Sequence, residues 1–431
     1  MNLEILSQAI FSKQMMSLAE EFFPIARSLT GQGVRDTLEI IRRECKELQI
    51  IKYDSGQKVG DWTIPREWKV NQAYIIDPTG RRICDFDDNN LHLVGYSAPF
   101  RGQLELAELR EHIHYLEDQP QFVPYVTSYY RETWGFCMSF EDFRRLNDGT
   151  YQVVIDTELF SGQMEIGEIV IPGESDSEIF FSTYICHPSM ANNEVSGPVL
   201  AVFLSNLVQQ MDNFYTYRFV FAPETIGPIA YLSTKKDQLK ENVIAAYNLT
   251  CVGDDRTFSF LPSRDGNSVS DRVAKEILER HEYVYEEYSW LDRGSDERQY
   301  CSPGVDLPMA SLMRTKYGEY PEYHTDADQL NSVVSGEGLF GSLQLYARVI
   351  AQLESLRFPK SSKIGEPFMT KYDLYSTISR KDAVNPNDLL NFISMSDGTL
   401  SVQEIGKSVK ISDERASEIL EQLCHLGLVS C

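Results

Sequence analysis

The stretch Glu178-Ile-Phe-Phe-Ser-Thr-Tyr-Ile-Cys186 is apolar almost throughout once past Glu178, broken only by Ser182 and Thr183. A strand wetted on one face alternates apolar and polar residues; a continuous apolar run belongs to a strand buried on both faces. The flanks support that reading. A helix pattern runs from Gly197 to about Gln210, strands are expected at Tyr217–Ala222 and Val243–Leu249, and a helix over Asp271–Arg280. A further strand at Pro308–Met313 and a long helix over Ser335–Leu356 complete the series. Strands alternating with helices imply an α/β fold, with a mixed, mostly parallel sheet flanked by helices.

Outward from this core the texture changes. Before residue 55, apolar residues at helical spacing (Met16, Leu18, Phe22, Phe23; Leu38, Ile40, Ile41, Leu48) predict two helices, with a break at Ser28–Gly31 where Thr30 or Gly31 can cap. The region from 55 is rich in Trp, Tyr, His and Pro. It carries short strand-like pieces at Ala73–Ile76, Tyr151–Ile155 and Glu165–Ile171, turn signals at Asp77–Gly80 and Asn147–Gly149, and one helix expected over Leu104–Leu116. Near the end, Asn385–Met395, Ser401–Val409 and Asp413–Leu426 read as three short helices followed by Gly427-Leu428-Val429, the outline of a winged helix. The expected division is a core from 1–54 and 165–370, an inserted mainly β domain at 55–164, and a winged-helix domain at 371–431.

Bulk properties bound the function. The formal net charge is −24, a surface that repels nucleic acid and anionic membrane. Eight scattered cysteines without a CxxC pair indicate reduced thiols rather than a disulfide framework. Without a signal-like N-terminus or a run of about 18 apolar residues, the expectation is a cytoplasmic chain with no membrane partner.

In open α/β sheets the active site lies at the carboxyl ends of the strands. Cys186-His187-Pro188-Ser189, Ala222-Pro223-Glu224-Thr225 and Cys251–Asp255 each end a predicted strand, and Tyr320–Asp326, containing His324, follows the last. Two of only seven histidines converging with a glutamate on one rim suit a zinc ion with a carboxylate base.

The order His187, Asn193-Glu194-Val195-Ser196-Gly197, Glu224-Thr225-Ile226-Gly227, His324 resembles the co-catalytic zinc aminopeptidases. Longer stretches narrow the resemblance. Asp61–Pro65, Asn90–Ser97, Pro124–Tyr130, Trp134–Cys137, Gly294–Tyr300 and Lys316–His324 are similar to a bacterial group of aminopeptidase-like proteins linked with polysaccharide biosynthesis, which carry an inserted domain and a C-terminal winged helix. The resemblance implies an aminopeptidase-like core, metal histidines at His187 and His324, and a general base at Glu224. It also marks departures. Asn193 stands at the bridging Asp, Thr225 at the second-metal Glu and Thr250 near a further Asp ligand, while Ser189 replaces the Asp that orients the first histidine.

Two zinc ions need a carboxylate between them to offset their repulsion, and Asn193 is neutral. The resemblance therefore implies one zinc at most, on His187, His324 and a third ligand from Glu194, Asp254 or Asp255. Asp296, Arg298 and Glu319, in two rim loops, are candidates for binding a substrate amine or carboxylate. The acidic C-terminal unit predicts contact with protein rather than DNA. Two functions follow: a metal-dependent aminopeptidase or amidohydrolase acting on a small peptide or amide, or an inactive aminopeptidase fold serving as a binding or assembly module.

Overall fold

The computed structural model describes residues 7–372, 374 and 386–430. Its centre is an eight-stranded sheet in the spatial order Gln49–Asp54, Gln163–Ile171, Tyr215–Ala222, Ser175–Tyr184, Val243–Asn248, Met309–Met313, Phe258–Leu261, Tyr285–Glu287. Ser175–Tyr184 pairs in parallel with both neighbours. Seven consecutive residues, Glu178 to Tyr184, are buried, which is why the run carries no polar face. The two strands at the N-terminal edge are antiparallel additions.

Helices cover both faces. Gln32–Glu44 buries Val34, Leu38 and Ile41, one stripe at helical spacing. Ser196–Gln209 and Gly336–Ser355 are buried along most of their length, and pack with Gln8–Phe22 into the larger apolar cluster. Gly197 has a steric reason: a Cβ there would collide with the Leu249 carbonyl and the Thr183 hydroxyl, so only glycine lets this helix lie so close to the sheet.

A separate four-stranded antiparallel sheet, ordered Arg82–Ile83, Glu67–Ile76, Thr150–Phe160, Phe100–Glu105, forms the mainly β part. Gln163–Ile171, from residue 165 on within the expected core, joins the main sheet, between Gln49–Asp54 and Tyr215–Ala222. One expectation is corrected here. The helix expected over Leu104–Leu116 is only Leu106–Arg110. Phe100–Glu105 is claimed by cross-strand bonding to Thr150–Ile155, and a capping box between Glu105 and Glu108 starts the helix late.

Pro386–Ser394, Val402–Val409 and Asp413–His425 enclose a third apolar cluster, and Val429–Ser430 pairs with Lys360–Ser361 as a short wing. Asn385 lies outside the described residues. Arg272 of the core reaches this unit through the Glu404 carboxylate and the Thr399 carbonyl.

Candidate active site

The register of the central strands builds the site. Tyr184 lies opposite Ala222, so the two strands end level and their next residues leave the sheet side by side. Three residues on is His187; two residues on is Glu224. Their facing atoms, Nε2 of His187 and Oε2 of Glu224, are 3.6 Å apart.

The other ring nitrogen of His187 is taken. Nδ1 bonds Glu194 Oε2 at 2.7 Å, and Glu194 Oε1 lies 3.7 Å from Arg27 Nε. Arg27 also donates to the backbone oxygens of His187 and Phe22. All three side chains are buried. Burial alone would lower the His187 pKa, but the charge and hydrogen bond of Glu194 outweigh it, and the net shift is upward. Glu194 thus orients the imidazole from seven residues along the chain, where Ser189, instead, donates to Phe23 O and accepts from Asn90.

Asn193 and Glu194 sit on a five-residue π-helical turn, Ala191–Val195, that opens the helix Ser196–Gln209. Such turns widen the backbone spacing and recur at functional sites. Asp328 clamps this one. Its Oδ1 and Oδ2 accept from the amides of Asn192 and Asn193, and its carbonyl accepts from Ala191. Burial, only partly offset by these donors, raises Asp328 to about 7.

His324 completes the rim, its ring centroid 5.6 Å from that of His187. Its backbone has φ +55°, a conformation costly for a non-glycine residue. The inserted segment holds it there: Tyr125 N donates to His324 O, Pro124 bridges Thr325, and Val123 N bonds Asp326. The Tyr125 ring lies 4.9 Å from His187 and 5.4 Å from His324. Tyr323 stacks on His324 at 3.9 Å. Burial and the neighbouring His187 push His324 down to about 3, so its imidazole is neutral at physiological pH.

Burial raises the Glu224 pKa, against His187 and Arg298, which lower it. Beside it Thr225 is held at φ +66° by Asp296, which accepts from its amide, and by Arg298, which donates to its hydroxyl. Arg298 Nη2 is 4.0 Å from Glu224 Oε1. Asp296 is fully buried, and burial followed by the charge of Glu224 holds its pKa well above the usual carboxylate range.

The structure therefore brings together His187, Glu194, Asn193, Glu224, His324, Asp296 and Arg298. Three expected residues stand apart from the imidazoles. Asp254 is consumed by Asn192, Thr315 and the Arg256 amide. Asp255 accepts from Ser335 on the surface, and Glu319 pairs with Lys316. Arg27, Tyr125 and Asp328 were not singled out from the sequence. Each acts across 60 or more residues of chain, and the only local signal is Asp328 at four residues past His324.

The donors can be tested against a metal ion. Among the described residues, Cys186, His187 and Glu194 bring ligand-type atoms within 4.8 Å of one another. That spacing is close enough for an ion. However, the 2.7 Å separation of Nδ1 and Oε2 is a hydrogen bond, whereas tetrahedral zinc ligands stand about 3.3 Å apart, and Arg27 already neutralises Glu194. On the cleft side, His187 Nε2 faces Glu224, with the neutral His324 ring beside it. Asn193 Oδ1 is buried with no hydrogen-bond partner among the described residues and can add an oxygen donor. Two ions do not fit. Asn193 Nδ2 is committed to Tyr184, the Thr225 hydroxyl to cationic Arg298, and Thr250 bonds Tyr184.

A mostly parallel sheet with this cleft at its strand ends, a second antiparallel sheet and a terminal winged helix define an aminopeptidase-like architecture. The chain belongs to the family described as "Domain of unknown function (DUF4910)", whose model matches residues 16–355, and a winged helix-turn-helix model matches residues 357–431. It is 39% identical over 422 residues, 96% of either chain, to a Clostridium acetobutylicum protein named "Putative polysaccharide biosynthesis protein with aminopeptidase-like domain". The crystal structure of a "putative peptidase" from Clostridium acetobutylicum superposes with TM-score 0.81 at 35% identity, covering 100% of this chain and 98% of that one. A zinc aminopeptidase from Bacillus subtilis superposes with TM-score 0.60 at 13% identity, over 80% and 95%, a likeness of fold alone.

Proposed function

We propose that the cleft hydrolyses an amide bond, as an aminopeptidase or amidohydrolase with one metal position. The observation that carries this is that His187 and Glu224 follow the ends of adjacent parallel strands and His324, from a later loop, comes beside them, with His187 Nε2 turned to Glu224 because Nδ1 is bound by Glu194. His187 and His324 would hold the ion with Asn193 Oδ1. When bound, it supplies Lewis-acid polarisation of the scissile carbonyl.

Glu224 is the base. Its raised pKa moves it toward the operating pH, where a carboxylate both takes and returns a proton effectively. Glu224 Oε2 accepts the proton of the attacking water and delivers it to the leaving nitrogen. Arg298 faces the carboxylate's second oxygen and is itself held by the Thr225 hydroxyl, and Asp296 fixes Thr225. Arg298, partly exposed at the rim, also suits a substrate carbonyl or carboxylate.

The test is turnover of amino-acid amides and N-acyl compounds by the purified protein. Glu224→Gln is expected to cut the rate by roughly 10²–10⁴-fold with metal content unchanged; equal rates would remove Glu224 from the mechanism.

A second reading, a binding module without turnover, is favoured by the internal hydrogen bonds of Asn193 and Thr225. In either case we assign the chain to polysaccharide biosynthesis, following the name of its curated relative. Six of its cysteines are buried and free, which supports a reducing, cytoplasmic setting. Among the described residues no helix is long and apolar enough to cross a membrane. The acidic helix Asp413–His425 is proposed to meet protein rather than nucleic acid.

A further inference from the structure

Trp62 and Tyr130 are large rings left 36% and 55% exposed. They meet edge to face, centroids 5.2 Å apart. The other inserted-domain Trp residues are stacked inside: Trp68 on Tyr96, Trp134 between His112 and Phe100. The exposed pair instead walls a cavity of about 320 Å³ that contains Glu224.

Its lining combines Leu29, Trp62, Tyr129 and Tyr130 with Glu224, Thr225, Arg298 and Gln299. The first four offer aromatic and apolar surface. The second four offer hydrogen-bonding groups. An apolar peptide side chain would leave the polar groups unmatched, and a fully polar ligand would leave the rings unmatched. A pyranose matches both, with an apolar C–H face and a hydroxyl edge; Trp and Tyr favour such half-wet contacts. Charge narrows the class further. Glu224 and Arg298, both in the lining, offset each other in charge, so the cavity suits a neutral ligand.

We propose that this cavity takes a neutral N-acylated amino sugar, its ring against Trp62 and Tyr130 and its amide at Glu224. The inference rests on the hydrolytic reading above. In the reaction, water oxygen bonds to the acyl carbon and the C–N bond breaks. The water proton passes through Glu224 to the sugar nitrogen, leaving a free amino sugar and a carboxylic acid.

The test uses the full-length Glu224→Gln protein, so that ligand is not consumed, with N-acetyl-D-glucosamine and its β-1,4 dimer as probes and L-leucinamide as comparator. Saturation-transfer NMR and tryptophan fluorescence report binding. The expected result is sugar binding with saturation of the ring protons, roughly tenfold weaker in Trp62→Ala, the loss of one stacked ring face. Trp62→Phe should restore most of it. Circular dichroism checks the fold, and Tyr130→Ala serves as a second variant should Trp62→Ala fail to fold. Binding of L-leucinamide but of neither sugar, or sugar binding indifferent to Trp62 and Tyr130, overturns the inference. Wild-type protein that binds the sugar through Trp62 yet releases no acetate removes the hydrolytic reading and leaves the sugar site standing. Hydrolysis of amino-acid amides without sugar binding does the reverse.

Discussion

Replacing Glu194 by glutamine changes one charge and almost no volume, at the point where the buried chain Arg27–Glu194–His187 meets the cleft. In the native protein Glu194 Oε2 accepts from His187 Nδ1 at 2.7 Å while Oε1 faces Arg27 at 3.7 Å. Both Arg27 and Glu194 have side chains only 1% exposed, so water cannot take over the lost role. Removing one partner of a buried pair costs about 3–5 kcal/mol, because the other charge is left uncompensated. Glu194→Gln should lose that much stability in urea denaturation of chelator-treated protein, without the cavity that alanine would leave. The pH dependence should change too. His187 has a folded pKa raised above its ordinary 6.5, so its contribution is full below that value and is lost as pH rises through the folded pKa. With glutamine, burial dominates and that loss disappears. A change below about 1 kcal/mol, the level of an exposed pair, would refute the reasoning.

Other outcomes follow from the same geometry. Asn193→Asp should bind zinc more tightly in calorimetric titration, since a carboxylate supplies the charge that the amide lacks; equal affinities would show that residue 193 does not reach the ion. Asp328→Ala should cost about 3 kcal/mol or more by denaturation, as two buried amides lose their acceptor at about 1–3 kcal/mol each. Asp328 is raised from 3.8 to about 7, so the native state holds its proton more tightly; its contribution is full below the lower value and lost as pH rises to the upper. Asp328→Asn should flatten that part of the stability profile, and an unchanged slope would exclude Asp328 as its source. The full chain should show no gel shift with duplex DNA at physiological salt, because an acidic surface gains nothing from counterion release.

The main sheet was legible because doubly buried strands leave an unbroken apolar run and amphipathic helices leave a stripe. Gln163–Ile171 was harder to place. It alternates with the short strands around it, and membership of one sheet or another is decided by pairing far along the chain. The short helix at Leu106–Arg110 was overestimated because Leu106, Leu109, Ile113 and Leu116 recur at helical spacing while cross-strand bonding of Phe100–Glu105 to Thr150–Ile155 decides the local state at its start. In the cleft, His187, Glu224 and His324 were visible as strand-end residues. The role of Glu194 was not, since a carboxylate beside Asn193 reads equally as ligand or as partner. Only the fold brings Arg27 against it and settles its contact. Asp254 fits a ligand pattern in sequence, yet its oxygens are spent on loop amides and side chains.

Elemental analysis of the full-length protein, reconstituted with zinc and freed of excess, tests the central claim most directly. One ion per chain is expected, and loss of that ion in His187→Ala and His324→Ala. Two ions per chain, or none after reconstitution, would contradict a single metal position between His187 and His324.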